Sequence, residues 1–260
     1  MPLSEQQKID ISDLLKNKIR QKLEEYNPET SNMPFHARLL GKDRMALFSF
    51  IQSINTTLGT SIFEQTAVII ARPHFRKSIS QFKEFNDTIS KEALHVIQEI
   101  LTGLTTARTI PNKPNETQKI LTVANKGDFV KVKRPRIDLF VEGHDGVEYY
   151  FDLKTAKPNV AQFKDFKRTL LEWVGIRGAV NPNANIRTLI AIPYNPYEPE
   201  PYERWTLQGL FDLQNEIVVA EEFWDFLGGK NTYIELLDVF ESTGIELRPE
   251  IDERFERFIT

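Results

Sequence analysis

The sequence predicts an α/β protein of the α+β type, built on a small mixed β-sheet that is flanked by helices and extended by helices at both ends. Two features predict this fold. Apolar side chains recur at helical spacing through much of residues 1–104, whereas short runs rich in β-branched and aromatic residues fill residues 126–193. These runs follow the order strand, strand, helix, strand, which indicates a mixed sheet with one crossover connection.

Three helices are predicted in the N-terminal part. Each carries apolar residues three or four positions apart, and the predicted ranges are 9–26, 43–71 with a break near Gly59, and 90–104. Residues 105–116 contain Pro111 and Pro114 and predict a loop.

Shorter patterns predict the strands and the elements that follow them. The predicted strands are 129–133, 136–141, 147–154 and 187–192, with an amphipathic crossover helix at 160–174. Residues 192–205 carry four prolines among aromatic residues and predict a stiff loop. Beyond this loop, acidic helices are predicted at 220–227, 232–241 and 251–258.

Length and composition bound the organisation of the chain. The 260 residues, of which 40% are hydrophobic, are enough for one domain over 1–260, with a helical part (1–104), a sheet core (126–193) and an aromatic loop followed by acidic helices (194–260). No apolar run approaches the roughly 20 residues that cross a bilayer, so we expect a cytoplasmic protein with no membrane partner. The absence of cysteine excludes disulfides, thiolate zinc sites and cysteine nucleophiles.

The charge is unevenly distributed along the chain, although the net charge is only -4. Residues 198–260 hold 16 acidic and 5 basic side chains, so residues 1–197 hold 21 acidic and 28 basic ones. Phosphates respond to local positive charge rather than to net charge, and the basic part of the chain therefore allows a nucleic-acid partner. For each basic cluster, an ordinary solvated surface is the alternative interpretation.

Two aspartates and a lysine lie on neighbouring predicted strands. Asp152 and Lys154 are two residues apart, so both point to one face of their strand. Asp138 on the preceding strand joins this face if residues 144–146 form a three-residue loop with Gly146 in the left-handed conformation. A two-residue loop would place the two aspartates on opposite faces, so the arrangement depends on the register.

This pattern is typical of metal-dependent cleavage of phosphodiesters. The reaction needs carboxylates that hold Mg²⁺, which polarises the phosphate and lowers the pKa of a bound water, and a nearby cation can position that water. Alternatively, Asp138, Asp152 and Lys154 form an ion-pair ladder on an exposed sheet face. Glu64 interrupts a mostly apolar stretch, where the sequence alone favours a position at the solvent edge over one in a site.

Two runs resemble the PD-(D/E)xK nuclease superfamily in the form used by type II restriction endonucleases: residues 134–138, Arg-Pro-Arg-Ile-Asp, and residues 151–154, Phe-Asp-Leu-Lys. The second acid is Asp rather than the commoner Glu, and Pro135 stands three residues before the first acid instead of next to it. Residues 194–205 and 223–229 further resemble the TdeIII-like restriction enzymes, so the likeness covers most of the chain.

The resemblance implies a restriction-endonuclease-like core and assigns roles to four residues. Asp138 and Asp152 would bind Mg²⁺. Lys154 would orient the attacking water, and Glu64 would assist at the metal. The resemblance also implies a type II restriction endonuclease that cuts both strands of double-stranded DNA at a short, G/C-rich palindrome. Such an enzyme would act as a homodimer, with a cognate DNA methyltransferase as its genetic partner.

Further residues are candidates for contacts with DNA. Lys157 and Asn159 begin the crossover helix, whose N-terminus attracts anions, and the stiff loop offers polar groups for reading bases. The alternative for this loop is a packed cover over the sheet edge. The DNA-binding candidates are Lys133, Arg134, Arg136, Lys157, Asn159, Asn195, Tyr197 and Arg204.

Other functions compete with this interpretation. The chain could be another PD-(D/E)xK nuclease with the same catalytic residues, acting in repair or on branched DNA, or it could be a non-catalytic DNA-binding module. Acids that face phosphate disfavour the module. The run Gly-Gly-Lys-Asn-Thr at 228–232 lacks the earlier glycine of a phosphate-binding loop, which disfavours a nucleotide-binding enzyme.

Overall fold

The computed structural model describes residues 3–25, 33–83, 86–133, 135–154, 162–202 and 209–256. In chain order its elements are α1 (Glu5–Glu25), α2 (Pro34–Leu40), α3 (Lys42–Thr57), a π-helical turn (Leu58–Ile62), α4 (Phe63–Ala71), β1 (Lys77–Phe82), β2 (Thr88–Ser90), α5 (Lys91–Thr105), α6 (Lys113–Val123), β3 (Phe129–Lys131), β4 (Ile137–Glu142), β5 (Glu148–Leu153), α7 (Phe163–Val180), β6 (Ile186–Ile192), α8 (Leu213–Glu216), β7 (Ile217–Val219), α9 (Glu221–Gly228) and α10 (Thr232–Glu256).

These elements form two compact units. The first unit comprises Met1–Ile70 with Gly228–Thr260, and the second comprises Ala71–Leu227. The single domain expected from the sequence stays a prediction. No helix within the described ranges is long and apolar enough to cross a bilayer.

The second unit contains a five-stranded mixed sheet in the order β1-β4-β5-β6-β7. Strand β4 pairs antiparallel with β1 and β5, whereas β5, β6 and β7 run parallel. Helix α7 is the crossover between β5 and β6, and β2 and β3 form a separate antiparallel pair. The predicted small mixed sheet flanked by helices is confirmed. The edge strands β1 and β7 were not predicted, because pairing decides short edge strands more than residue type does.

Strand β5 lies at the centre of the sheet and is buried on both faces. On one face the ring of Tyr150 packs 6.4 Å from the ring of Trp173 in α7, and on the other face Phe151 packs 5.5 Å from Phe223 in α9. None of these four residues is more than 2% exposed. The aromatic side chains therefore anchor β5 between α7 and α9.

The turn between β4 and β5 determines their register. The backbone N–H of Gly143 donates to Val147 O at 2.9 Å, and that of Gly146 donates to Gly143 O at 3.0 Å. Gly146 has a φ of 77°, in the left-handed region that residues with a Cβ rarely adopt. The three-residue loop that a common face of the aspartates requires is thus confirmed, and the pairing runs from Glu142 opposite Glu148 to Leu139 opposite Phe151.

The loop predicted at 105–116 is wrong at its end, because residues 113–116 belong to helix α6. The helix begins at Lys113, where the side chain of Asn112 accepts a hydrogen bond from Asn115 N at 3.0 Å. Pro114 lies in the first turn, where its missing N–H costs no intrahelical hydrogen bond. The proline that predicted a loop thus marks the start of a helix.

The prediction of two separate helices at 232–241 and 251–258 is wrong. The two segments form one helix, α10, which continues through Pro249. A proline in a helix interior removes one backbone hydrogen bond. Packing of α10 along α1 offsets this loss. Lys16 pairs with Glu246, and Arg20 Nη2 lies 2.7 Å from Glu250 Oε1. The continuity of α10 therefore depends on contacts between residues far apart in sequence.

Four buried charged side chains join α6, α7 and α8. Lys167 Nζ lies 2.6 Å from Glu116 Oε2 and 2.6 Å from Glu216 Oε2, and Lys113 Nζ lies 3.0 Å from Glu216 Oε1. None of the four residues is more than 5% exposed. Burial lowers the pKa of Lys113. Burial alone would raise the pKa of Glu216, but Lys113 and Lys167 hold it below its usual value. Two cations and two anions thus balance inside the unit.

Replacing Lys167 should destabilise the protein strongly. The variant Lys167→Met leaves Glu116 and Glu216 buried beside a single amine, so we expect the free energy of unfolding to fall by about 3–5 kcal/mol. Urea denaturation at neutral pH measures this change. Lys164→Met is the matched control, because Lys164 is an exposed lysine of the same helix, and it should change the free energy by less than about 0.5 kcal/mol.

The loss in Lys167→Met should also depend on pH. Because the pKa of Glu216 is lowered in the folded protein, its contribution is present above the unfolded pKa of about 4.3 and disappears as the pH falls through the folded value. The difference between wild type and variant should therefore shrink in acid. A variant as stable as wild type at neutral pH would contradict the ionic role of Lys167.

Candidate functional site

The two predicted aspartates lie opposite each other on β4 and β5. The described pairing begins at Leu139 and Phe151, and continuing it by one residue sets Asp138 across from Asp152. The backbone N–H of Leu153 donates to Asp138 Oδ2 at 2.9 Å, which ties this carboxylate to β5. Opposed residues of antiparallel strands share a face, so the common face predicted for the aspartates is confirmed.

Lys154 completes the group at the end of β5. Its Nζ lies 2.5 Å from Asp152 Oδ1 and 4.5 Å from the centre of the Phe166 ring in α7. The backbone N–H of Lys154 donates to Ala191 O at 2.9 Å, which continues the pairing with β6. The ammonium is thus held by a carboxylate and an aromatic face, and the aromatic contact contributes about 0.5–2 kcal/mol.

Solvent reaches this ion pair. The side chains of Asp152 and Lys154 are 12% and 23% exposed, respectively. A ligand can therefore approach both groups without opening the core of the unit. A sealed structural ion pair would not allow this approach.

The site lies at the carboxyl ends of the parallel strands. Asp152 and Leu153 pair with Ile190 and Ala191 near the end of β6. In open α/β sheets, ligands bind outside the carboxyl ends of the strands. The aromatic loop that follows β6 starts at this same edge, next to the acidic group.

The carboxylates of Asp138 and Asp152 suit a hard divalent cation. Mg²⁺ binds oxygen ligands, commonly one or two carboxylates together with waters and phosphate oxygens. Within the described residues, no group of three or more His, Cys, Asp or Glu side chains is close enough to hold a metal ion. The two carboxylates fit a Mg²⁺ ion that takes further ligands from water and a bound phosphate.

Glu64 follows the π-helical turn in the first unit. The helix predicted to break near Gly59 widens into this turn instead and continues as α4. Glu64 is only 3% exposed, so the position at the solvent edge that the sequence alone favours is wrong. π-Helical turns occur frequently at functional sites. The role of Glu64 at a metal stays a prediction, because Asp138 and Asp152 belong to the second unit.

The structure describes only two of the DNA-binding candidates outside the aromatic loop. Lys133 and Arg136 are exposed and precede Asp138 by five and two residues. These two cations therefore lie on the segment that leads into β4 and Asp138. Four further DNA-binding candidates lie outside the described residues: Arg134, Lys157, Asn159 and Arg204.

The aromatic loop is braced by its own side chains. Asn195 Nδ2 donates to Glu200 O at 2.7 Å, and Tyr197 N donates to Asn195 Oδ1 at 3.0 Å. Trp224 Nε1 donates to Pro193 O at 2.8 Å and anchors the start of the loop. The Asn195 amide thus stabilises the loop itself. Contacts of Asn195 and Tyr197 with bases stay predictions.

Two groups at the site were not predicted from the sequence. The ring of Phe166 supports the ammonium of Lys154, and the backbone N–H of Leu153 binds Asp138. Phe166 belongs to a helix whose amphipathic pattern was recognisable, but the crossing of α7 over the sheet decides which ring meets Lys154. The donor to Asp138 is a backbone N–H, which nearly every residue type has, so no sequence pattern could have predicted it.

Comparisons with known proteins all identify type II restriction enzymes. The family model for HinfI type II restriction endonucleases matches residues 3–244. The chain is 28% identical to the type II restriction enzyme HgiCII of Herpetosiphon aurantiacus, over 85% of this chain and 81% of that enzyme. It is 27% identical to the type II restriction enzyme MjaII of Methanocaldococcus jannaschii, over 98% of this chain and 74% of that enzyme. The TdeIII-like subfamily and the PD-(D/E)xK superfamily stay predictions.

Removing either aspartate should weaken Mg²⁺ binding. We expect Asp138→Asn and Asp152→Asn each to raise the Kd for Mg²⁺ at least about tenfold, because each removes one carboxylate from the proposed ligands. Isothermal titration calorimetry with magnesium chloride measures this change. Asp145→Asn is the matched control in the exposed turn of the same hairpin and should leave the Kd unchanged. Wild-type affinity in both site variants would exclude these aspartates as ligands.

Proposed function

The chain belongs to the HinfI family of type II restriction endonucleases, and we propose that it hydrolyses both strands of duplex DNA at a short specific sequence, with Mg²⁺ held by Asp138 and Asp152. As a member of this family it is a site-specific endodeoxyribonuclease. One observation carries the assignment of the site. The β4–β5 register brings Asp138 opposite Asp152, with the Lys154 ammonium 2.5 Å from the second carboxylate.

Each side chain of the site has a proposed task. When bound, Mg²⁺ polarises the scissile phosphate and lowers the pKa of a water ligand. Lys154 orients the attacking water and offsets negative charge that builds up on the phosphate. Asp152 and Phe166 hold the Lys154 ammonium in place. We assign these residues to the PD-(D/E)xK pattern, with Glu64 as a further carboxylate that assists at the metal.

Basic residues next to the site are proposed to bind the DNA backbone. Exposed Lys133 and Arg136 precede the metal-binding aspartate on the chain and would neutralise phosphates near the scissile bond. We propose the same contact for the sequence candidate Arg134, a phosphate or base contact for Lys157 and Asn159, and a base contact for Arg204. In the aromatic loop, Tyr197 is the proposed base contact, and Asn195 would hold the loop in the shape that reads the bases.

The proposed target is a short, G/C-rich palindrome. A palindrome is two-fold symmetric, so a homodimer would present one catalytic site to each strand. We further propose a cytoplasmic location and a cognate DNA methyltransferase that modifies the same sequence in the host genome. The TdeIII-like resemblance of residues 194–205 supports the loop as part of the recognition surface.

Digestion of unmethylated bacteriophage DNA tests the proposed function. We expect purified protein with Mg²⁺ to produce discrete fragments, and EDTA to abolish them. Lys154→Ala should lower the cleavage rate at least about 100-fold, because the group that orients water is lost. Lys164→Ala removes an exposed lysine of α7 and should cut at the wild-type rate.

The pattern of cleavage separates the alternatives. Fragments of constant size identify a restriction enzyme and allow its site to be mapped. Intact phage DNA, together with cleavage of branched or damaged duplexes, would favour the repair or structure-specific nuclease instead. Full activity of Lys154→Ala would contradict the proposed task of Lys154.

Salt dependence tests the backbone contacts. Binding to a mixed-sequence duplex, measured in EDTA by fluorescence anisotropy, should weaken with salt. Lys133→Ala and Arg136→Ala should each lower the slope of log Kd against log salt by about 1, because each removes one phosphate contact. Lys119→Ala removes an exposed lysine of α6 and should keep the wild-type slope. Unchanged slopes in both variants would remove Lys133 and Arg136 from the proposed DNA surface.

A further inference from the structure

Helix α2 exposes an apolar face. None of its seven residues is buried, and Phe35 and Leu39 are 85% and 83% exposed. These two residues are four positions apart, so they lie on one side of the helix. A helix this short gains its stability from packing of an apolar face rather than from propensity. Packing of a partner against the exposed face of α2 would therefore stabilise this helix.

The neighbouring helix α3 is apolar on two sides. Met45 and Phe50 are buried in the first unit, whereas Phe48 and Ile51 are 50% and 49% exposed. A helix that is apolar around its circumference is normally buried on all sides. Among the described residues, one side of α3 is thus half exposed, and α2 contacts α3.

The exposed apolar residues of the two helices define the α2–α3 surface. Its members are Met33, Phe35, Leu39, Leu40, Leu47, Phe48 and Ile51. Their exposed fractions lie between 43% and 85%. For side chains of this size, these fractions amount to roughly 700 Å² of exposed area. Monomeric proteins rarely expose a larger apolar patch than about 600 Å², and a standard interface buries about 800 Å² on each partner.

We propose that the α2–α3 surface binds the same surface of a second copy of this chain about a two-fold axis. An isologous contact matches an apolar surface with one of equal area and composition. The exposed side chains of His36, Arg38, Lys42 and Arg44 on the same helices would form its polar rim. The inference rests on the proposed function, because cutting both strands of a palindrome requires two catalytic sites.

Duplex DNA is a poorer occupant of the α2–α3 surface. The accessible surface of a duplex is dominated by phosphate, which does not compensate for leaving large apolar side chains in water. The α2–α3 surface exposes seven large apolar side chains, and the two helices expose four basic ones. The second copy is therefore the expected occupant of the α2–α3 surface.

Sedimentation velocity of the full chain tests the interface. Wild type should sediment as a species of twice the 30.2 kDa of one chain. Phe35→Asp and Leu47→Asp place like charges across the axis from two different helices, and each should raise the dimer Kd at least about 100-fold. Ile110→Asp is the matched control, because Ile110 is 89% exposed and lies outside the surface, and it should remain dimeric. Circular dichroism checks that each variant retains its helices.

Cross-linking gives a second measurement that does not disrupt the surface. The chain has no cysteine, so a single introduced cysteine reports one position. A residue close to a two-fold axis faces its own copy, and a disulfide forms when the Cα atoms are within about 7 Å. Among Phe35→Cys, Leu39→Cys, Leu47→Cys and Phe48→Cys, at least one should give a covalent dimer under mild oxidation. Ile110→Cys should not.

The outcomes distinguish the interface from the proposed activity. A wild-type chain that is monomeric at every concentration, or Asp variants that stay dimeric, would overturn the interface whether or not the protein cuts DNA. Dimeric Asp variants that lose DNA binding would assign the surface to DNA instead. A dimeric wild type that does not cut duplex DNA would overturn the proposed function and leave the interface standing. Monomeric variants that nick a supercoiled plasmid without linearising it would support both.

Discussion

The register of the β4–β5 hairpin is the constraint on which the candidate site depends. Side chains alternate between the faces of a strand, so a slip of one residue would move Asp138 to the opposite face. Ile137, Leu139 and Val141 lie on that face and are fully buried. The same slip would put the carboxylates of Asp138 and Glu142 into these buried places, so the cost of burying a charged group opposes it. The turn adds a second restraint, because Gly146 closes the loop with a φ of 77°. Burial and turn geometry thus select the one register in which the acids meet.

Helix α7 links the start of β5 to Lys154 at its end. Arg177 donates two hydrogen bonds to Glu148 at the start of β5, at 2.7 and 2.6 Å. Burial alone would raise the pKa of Glu148, but Arg177 and the Tyr150 hydroxyl hold it below its usual value. Phe166 precedes Arg177 by about three helical turns and therefore lies on the same side of α7. The ion pair at one end of β5 thus fixes the rotation that brings the Phe166 ring to Lys154 at the other end.

Two groups of charges in the second unit differ in their access to water. Lys167 and Glu216 are fully buried, and their balanced contacts join three helices. A ligand cannot reach such a buried cluster, and the cluster instead holds the three helices in position. The side chains of Asp152 and Lys154 are close to each other but partly exposed. The same residue types are thus sealed in the core in one place and reachable by solvent at the end of a strand in the other.

The sequence by itself determined what depends on neighbouring residues. The alternation around Asp152 and Lys154 placed both on one face. The turn sequence left a two-residue and a three-residue loop open, and only the strand pairing selected the loop that sets Asp138 opposite Asp152. Tertiary structure alone decided the rest. Pairing made the short segments β1 and β7 into strands, packing against α1 carried α10 through Pro249, and the crossing of α7 chose Phe166 as the ring that supports Lys154. These outcomes depend on contacts between residues far apart in the chain, whereas periodicity and turn residues report only the local conformation.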